Sequence, residues 1–297
     1  MIRTRVILAF LAGLVATANL QAQDRPLVLA SLAPIYQLTA PLVANTSIDL
    51  QLLPDSPRSM QTHQTLFVRQ AERHAEAFTR ADAVITIGRV WAADPFYISA
   101  RQFNPRVVNI DASKPYSHEL DGVAVATSPV TGQSSPYFWL SPSNLVRTLD
   151  IIGNDLMALY PADAATLKAN LAREQDRYRA LKADTEARLL LVDDPLVYAL
   201  ADEFVYLSSD LGLFVADYFV KQDIDWTDAD YQRLTKSLQD QDIKVVIHKW
   251  EPAAAITAAI SAAGAQLVVL DTLETTTDFY AGFAANLQRL LATLQGH

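Results

Sequence analysis

Side chains suited to metal binding follow three short apolar runs of the sequence. His248 ends the run KVVIH, Asp271 ends QLVVLD, and Asp202 and Glu203 follow LVYAL. If these runs are parallel strands, their carboxyl ends meet at one edge of a sheet, where ligands bind. The chain contains no cysteine. An imidazole beside carboxylates, with no thiolate, therefore indicates a site for zinc or manganese.

Each of these side chains also has an ordinary structural interpretation. A histidine at a strand end is more often a hydrogen-bonded structural residue than a ligand. Aspartate is a common turn and cap residue. Asp271 is therefore suited to cap the turn after its predicted strand, and Asp202 is suited to cap the helix that follows the predicted strand 196–200. The metal-site interpretation rests on the convergence of three strand ends rather than on any single residue.

The apolar runs alternate with longer helical patterns. The predicted strands are 27–31, 48–53, 83–88, 106–110, 196–200, 244–248 and 266–271. Strands that alternate with helices of ten or more residues indicate βαβ units and mostly parallel sheets. Because the runs fall into two sets, we predict an α/β fold with two lobes, each with a mostly parallel sheet flanked by helices.

The two sets are separated by a stretch that predicts one long helix. Residues 163–190, DAATLKANLAREQDRYRALKADTEARLL, contain no glycine or proline, and their apolar residues recur near helical spacing. Pro161 lies before this stretch and Pro195 after it. Such a helix would join the lobes as a rigid strut rather than a hinge.

The amino terminus has the layout of a secretory signal peptide. Arg3 and Arg5 precede a short apolar run and small residues follow it, so we expect cleavage after Ala18 or Ala22 and an exported, soluble, periplasmic protein. The formal charge of −9 is spread along the chain, which argues against nucleic-acid binding. We predict a signal peptide at 1–22, an N-terminal lobe at 23–160, a linking helix at 161–190 and a C-terminal lobe at 191–297.

Several motifs resemble one known family. They are ADAVITIG (81–88), FWLSPSN (138–144), the long helix, GAQLVVLDTL (264–273), and Tyr280 with Asn286-Leu287. In order and spacing they are similar to the periplasmic solute-binding proteins of zinc and manganese ABC importers, and the similarity covers the whole mature chain. FWLSPSN resembles the Trp-Leu-Asp-Pro-x-Asn motif of that family, and the long helix resembles its interdomain helix.

The family's metal ligands are only partly matched. Three histidines and one acidic residue hold one ion in that family, two from each lobe, and Asp271 matches the acidic position. Tyr137 stands at the second histidine position and Ala201 at the third. Arg58 stands at the first, with His63 five residues further on as its only substitute. The resemblance thus implies a rearranged metal site built from Asp271, His248, His63 and Tyr137, with Glu203 as a further candidate.

The resemblance implies the solute-binding component of an ABC-type metal uptake system. Its ligand would be a divalent zinc or manganese ion and its partner a membrane permease, and we expect a monomer. The alternative is a protein of the same fold that has lost metal binding and holds another small ligand or a protein partner. An enzyme is not expected, because the sequence has no G-x-S-x-G, no H-E-x-x-H and no phosphate-cradling glycine loop.

Overall fold

The computed structural model describes residues 25–296, which form two sheets of four parallel strands each. The strands are β1 (Leu27–Ala30), β2 (Asp49–Leu52), β3 (Ala83–Thr86), β4 (Val108–Asp111), β5 (Leu196–Ala199), β6 (Phe214–Tyr218), β7 (Val245–His248) and β8 (Gln266–Val269). The first sheet has the order β2-β1-β3-β4 and the second the order β6-β5-β7-β8. Central strands of both sheets are buried on both faces, as parallel sheets flanked by helices require. The predicted two-lobed α/β fold is confirmed.

Nine α-helices surround these sheets in the described residues. They are α1 (Ala33–Thr39), α2 (Ala75–Arg80), α3 (Phe96–Phe103), α4 (Pro142–Leu159), α5 (Ala164–Leu189), α6 (Val205–Leu211), α7 (Asp228–Asp240), α8 (Ala254–Ala262) and α9 (Phe279–Leu294). Short 3-10 turns and one π-helical segment, Gln64–Arg69, complete the chain.

One strand, β6, was not predicted from the sequence. It begins at Phe214, two positions beyond Gly212, the residue in the left-handed conformation (φ 67°) that follows the end of α6. The strand pairs only with β5, at the edge of the second sheet, and Phe214 is exposed. The abrupt change from helix to strand leaves no polar loop to mark the boundary.

Helix α5 is the predicted strut between the lobes. Its 26 residues give a length of about 39 Å at 1.5 Å per residue. Near its start, Asn170 Nδ2 donates to the carbonyl oxygens of Leu42 and Ala44, each at 2.8 Å. Further along, the ring of Tyr178 packs edge-on against Tyr280 of α9 at 5.5 Å between ring centroids. The helix is therefore fastened to both halves of the molecule.

The two lobes share one hydrophobic core. A single buried cluster includes Ile85 of the first sheet, Ile247 of the second, and Trp139 and Phe283 from segments between and after them. Two smaller clusters lie on the other faces of the sheets. A continuous core removes more apolar surface from water than two separate lobes would, and it couples their stability.

The predicted export of the chain bears on its membrane-spanning capacity and on its amino terminus. Between residues 25 and 296, no helix is long and apolar enough to cross a membrane. The predicted signal peptide at 1–22 lies outside the described residues.

Candidate functional site

Tyr137 is held at the junction of the lobes by its neighbours in sequence. It precedes a 3-10 turn, Phe138–Leu140, and Ser141 then caps the start of α4 by accepting from Asn144 N–H at 3.0 Å. Trp139 is fully buried, and its indole N–H donates to the carbonyl oxygen of Thr272 in the other lobe at 2.9 Å. The ring of Tyr137 packs against Trp139 at 5.4 Å. The aromatic pair thus positions the Tyr137 phenol between the lobes.

Three carboxylates of the C-terminal half lie near enough to this phenol for their charges to act on it. Burial raises the pKa of Tyr137 well above its ordinary value, and the charges of Glu274, Glu203 and Asp202 raise it further. The phenol is therefore protonated at neutral pH and is a hydrogen-bond donor as well as an acceptor. We name these four residues, together with Lys249, the interlobe cluster.

Glu203 is the most deeply buried carboxylate of the interlobe cluster. It follows β5, its exposed fraction is 9%, and its Oε1 forms an ion pair with Nζ of Lys249. Its Oε2 has no hydrogen-bond partner among residues 25–296. A buried carboxylate oxygen without a partner is costly, so this atom is suited to accept from a donor or a cation that reaches the cluster.

The other two carboxylates bind the N-terminal lobe. Oε1 of Glu274 accepts from Ser59 Oγ at 3.1 Å and from Met60 N–H at 2.5 Å. Burial raises the pKa of Glu274, which these two hydrogen bonds oppose. Asp202 accepts a hydrogen bond from Ser128 Oγ. These contacts hold the lobes together around the cluster.

His63 lies in an aromatic pocket of the N-terminal lobe. The residue precedes the π-helical segment, is fully buried, and packs against Phe67 at 5.1 Å and Trp91 at 5.5 Å between ring centroids. Burial lowers its pKa from 6.5 to about 4, so the imidazole is neutral. Neither ring nitrogen has a side-chain or backbone hydrogen-bond partner within 25–296.

His248 lies on the face of the second sheet that is turned away from the shared core. Val246, two residues earlier on β7, belongs to the outer cluster of that sheet, whereas Ile247 belongs to the shared core. Because alternate residues of a strand point to opposite faces, His248 follows Val246 outward and Lys249 follows Ile247 inward. The ring of His248 packs on Trp250 at 4.8 Å, and burial lowers its pKa to about 4.

Asp271 caps a turn after β8. Its Oδ1 accepts from the N–H of Leu273 at 2.7 Å, and Leu273 has a positive φ of 60°. The peptide groups of Asp271 are bound by Asn286 of α9, with the Asp271 N–H donating at 2.9 Å and the carbonyl oxygen accepting at 2.7 Å. The side chain is exposed. This arrangement matches the cap interpretation, and it leaves Oδ2 open to solvent or a ligand.

The predicted ligands Asp271, His248, His63 and Tyr137 therefore have separate surroundings. In the described part of the chain, no three His, Asp or Glu side chains are grouped so that they could hold a metal ion. Ala201, at the third histidine position, is buried and offers no donor. The four-residue set stays a prediction, and as a single site it would require these side chains to rearrange.

Sequence reasoning singled out Asp202 and Glu203 but missed Lys249 and Glu274. Lys249 had a readable signal, because the alternation along KVVIHKW places it on the same face as the apolar Ile247. No sequence pattern marks Glu274, since its partners Ser59 and Met60 lie more than 200 positions away in sequence.

Two parallel α/β lobes, joined by a rigid helix and meeting at a polar cluster, define the architecture of a solute-binding protein. The family model described as zinc-uptake complex component A, periplasmic (ZnuA), matches residues 28–296, and the chain belongs to that family. The resemblance predicted from the motifs is confirmed, and the family is a transport component rather than an enzyme family.

Solved structures share the fold at low sequence identity. A mutant of FpvC from Pseudomonas aeruginosa is 20% identical with a TM-score of 0.76, over 91% of this chain and 100% of that one. FpvC from the same organism in complex with Mn²⁺ is 19% identical with a TM-score of 0.70, over 92% and 99%. The Zn(II)-bound ZnuA-like domain of Streptococcus pneumoniae AdcA is 20% identical with a TM-score of 0.71, over 91% and 99%. Comparison with curated proteins found no match.

Proposed function

We propose that the chain is the periplasmic solute-binding component of an ABC-type uptake system and that its cargo is a divalent metal ion. The observation that carries this proposal is the buried Oε2 of Glu203, which has no hydrogen-bond partner among residues 25–296. A buried carboxylate oxygen that lacks a partner at the junction of two lobes is an acceptor for a cation. The proposed partners are the ion and a membrane permease, the protein acts as a monomer, and it binds no nucleic acid.

The donor set distinguishes the two candidate ions. The carboxylate oxygens of Glu203 and Glu274, with the neutral Tyr137 hydroxyl as a weaker third donor, suit manganese, because oxygen ligands select harder cations. The set predicted from the sequence includes two imidazoles, His63 and His248, which suit zinc. We propose that the cargo, with manganese as the favoured ion, binds at Glu203 of the interlobe cluster and draws further oxygen ligands to it. Among residues 25–296 no three His, Asp or Glu side chains are already grouped to hold an ion. Family membership supports a metal cargo of either kind.

Thermal unfolding with and without metal tests the proposal. After treatment with a chelator, the protein should melt at a higher temperature in MnCl₂ or ZnCl₂, because a ligand of the native state adds stability. At a free ion concentration of 100 Kd this gain is about 2.7 kcal/mol. Glu203→Gln should reduce the gain at a fixed ion concentration, since the neutral amide binds a cation poorly.

Two comparisons locate the site. Glu251→Gln is the matched control, because Glu251 is exposed and lies outside the cluster. The double variant His248→Ala, Asp271→Ala tests the set predicted from the sequence. If only the double variant loses the metal-induced rise, the cargo site is the predicted set rather than the interlobe cluster. If neither ion changes the melting temperature of wild-type protein at millimolar concentration, the metal cargo is refuted.

A further inference from the structure

Lys249 supplies the one positive charge of the interlobe cluster, against three carboxylates. Its Nζ pairs with Oε1 of Glu203 and lies 4.6 Å from the ring centroid of Trp250. The side chains of Lys249 and Glu203 are 23% and 11% exposed. The pair is thus largely removed from water, in contrast to ion pairs such as Arg179–Asp176 on the surface of α5.

The three carboxylates differ in the kind of partner they have. Oε1 of Glu274 accepts from Ser59 and Met60, and Oδ2 of Asp202 accepts from Ser128, so one oxygen of each is bound by neutral donors of the other lobe. Glu203 instead pairs through Oε1 with an ammonium at the end of a flexible side chain, and its buried Oε2 has no partner among residues 25–296. Of the three, Glu203 is therefore the carboxylate with a cationic partner that another cation can replace.

We infer that Lys249 is an internal counter-ion that competes with the metal cargo for Glu203 and so sets the affinity and selectivity of the site. This inference rests on the proposed function. A divalent ion at Glu203 is repelled by the ammonium unless the Lys249 side chain moves away, so part of the binding free energy is spent on breaking the ion pair. Monovalent cations bind carboxylates weakly, so they gain too little binding free energy to displace the Lys249 ammonium.

The inference gives Lys249 opposite roles in the two states. Without metal, the ammonium stabilises the protein, because its loss leaves the buried Glu203 carboxylate uncompensated. With metal, the ammonium opposes binding. A lysine with a purely structural role would stabilise both states equally, and this difference is what an experiment can measure.

The test compares wild-type protein with two variants. Lys249→Gln keeps a hydrogen-bond donor for Glu203 but removes the charge, so it preserves the fold better than Lys249→Met, which removes both. Lys244→Gln is the matched control, because Lys244 pairs with Asp242 at the surface. Each protein is stripped with a chelator, titrated with MnCl₂ and ZnCl₂ by calorimetry, and heated with and without each ion.

Both Lys249 variants should melt below wild type without metal, bind at least one of the ions about tenfold more tightly, and show a larger metal-induced rise in Tm. Lys244→Gln should match wild type throughout. If wild type binds an ion and Lys249→Gln binds it no more tightly, the inference is overturned and the proposed function stands. If only the Lys249 variants bind, Lys249 blocks Glu203 instead of tuning the affinity for a cargo, and both the proposed function and the inference are overturned. If none of the proteins binds either ion, both are overturned.

Discussion

At the scale of single residues, burial rather than residue type decides which groups carry charge. His63 and His248 are both neutral because the surrounding aromatic and apolar side chains disfavour an imidazolium. Burial and nearby carboxylates also raise the pKa of the Tyr137 phenol, which makes its ionisation harder still than that of an exposed tyrosine. Neutral imidazole is the form that binds metal, yet it is also the form expected in any apolar pocket. Neutrality alone therefore does not identify a ligand.

The buried His63 predicts a specific dependence of stability on pH. Its pKa is about 4 in the folded protein against 6.5 ordinarily, so between these values the unfolded chain binds the extra proton. The stability associated with neutral His63 is fully present above pH 6.5 and is lost as the pH falls towards 4. At about 1.4 kcal/mol per pH unit, the loss between pH 7 and 4 is on the order of 3 kcal/mol.

The variant His63→Phe keeps an aromatic ring in the pocket and removes this titration. Urea unfolding of both proteins, with a chelator present, should show that wild type loses more stability than the variant between pH 7 and 4. His118→Gln, at an exposed position, should follow wild type. Equal losses in wild type and His63→Phe would mean that His63 is hydrated or hydrogen-bonded in the native state.

At the scale of elements, α5 sets the relative position of the two lobes, because polar as well as apolar contacts attach it to both of them. Near the start of the helix, the Asn170 amide donates to the carbonyl oxygens of Leu42 and Ala44, in the segment that follows α1. On the opposite lobe, the guanidinium of Arg177 stacks over the ring of Tyr280 at 3.4 Å. These contacts attach α5 to both lobes and so fix where the lobes meet around the interlobe cluster.

Removing the Asn170 amide should weaken the attachment of α5 to the N-terminal lobe. Asn170→Ala leaves two carbonyl oxygens without their donor at a position that is 4% exposed. Alanine gains less than about 1 kcal/mol of helix propensity. We expect a net loss of about 2 kcal/mol in chemical unfolding. The control is Lys168→Ala, at an exposed position on the same helix, which should change stability by less than about 0.5 kcal/mol. Equal losses of stability in the two variants would show that the two hydrogen bonds of Asn170 contribute nothing.

At the scale of the whole molecule, the sequence predicts what local periodicity determines. All strands except β6 were predicted from apolar runs, and α5 from its spacing and its lack of glycine and proline, because these signals act locally. The shared edge of β7 and β8 followed from topology. The contacts of His248 and Asp271, at the ends of these strands, could not be predicted in the same way. The direction of the His248 side chain depends on strand alternation, and the role of Asp271 depends on the turn at Leu273.

The interlobe cluster lies beyond local prediction for a related reason. Tyr137, Glu203 and Glu274 come from three distant segments, and their proximity depends on how the lobes pack around Trp139. A resemblance in sequence aligns Tyr137 with a ligand position. It gives no information about Lys249, which acquires its importance only from the buried Glu203 beside it.

The shared core predicts that the two lobes unfold together. Ile85 of the first sheet, Ile247 of the second and Trp139 at their junction belong to one cluster, and both ends of α5 pack into it. Exposing the core of one lobe would therefore also expose apolar surface of the other. We expect a single calorimetric transition whose van't Hoff and calorimetric enthalpies agree.

A variant at the junction makes the test sharper. Trp139→Phe removes the hydrogen bond to Thr272 and part of the buried ring that joins the lobes, so it should lower the melting temperature while the transition stays single. Trp250→Phe is the control, since Trp250 is partly exposed and lies outside the shared core. Two resolved transitions in wild-type protein, or near-ultraviolet and far-ultraviolet circular dichroism melting at different temperatures, would show that each lobe is stable by itself. In that case the interlobe cluster would be an interface between independent domains, open to rearrangement by the cargo.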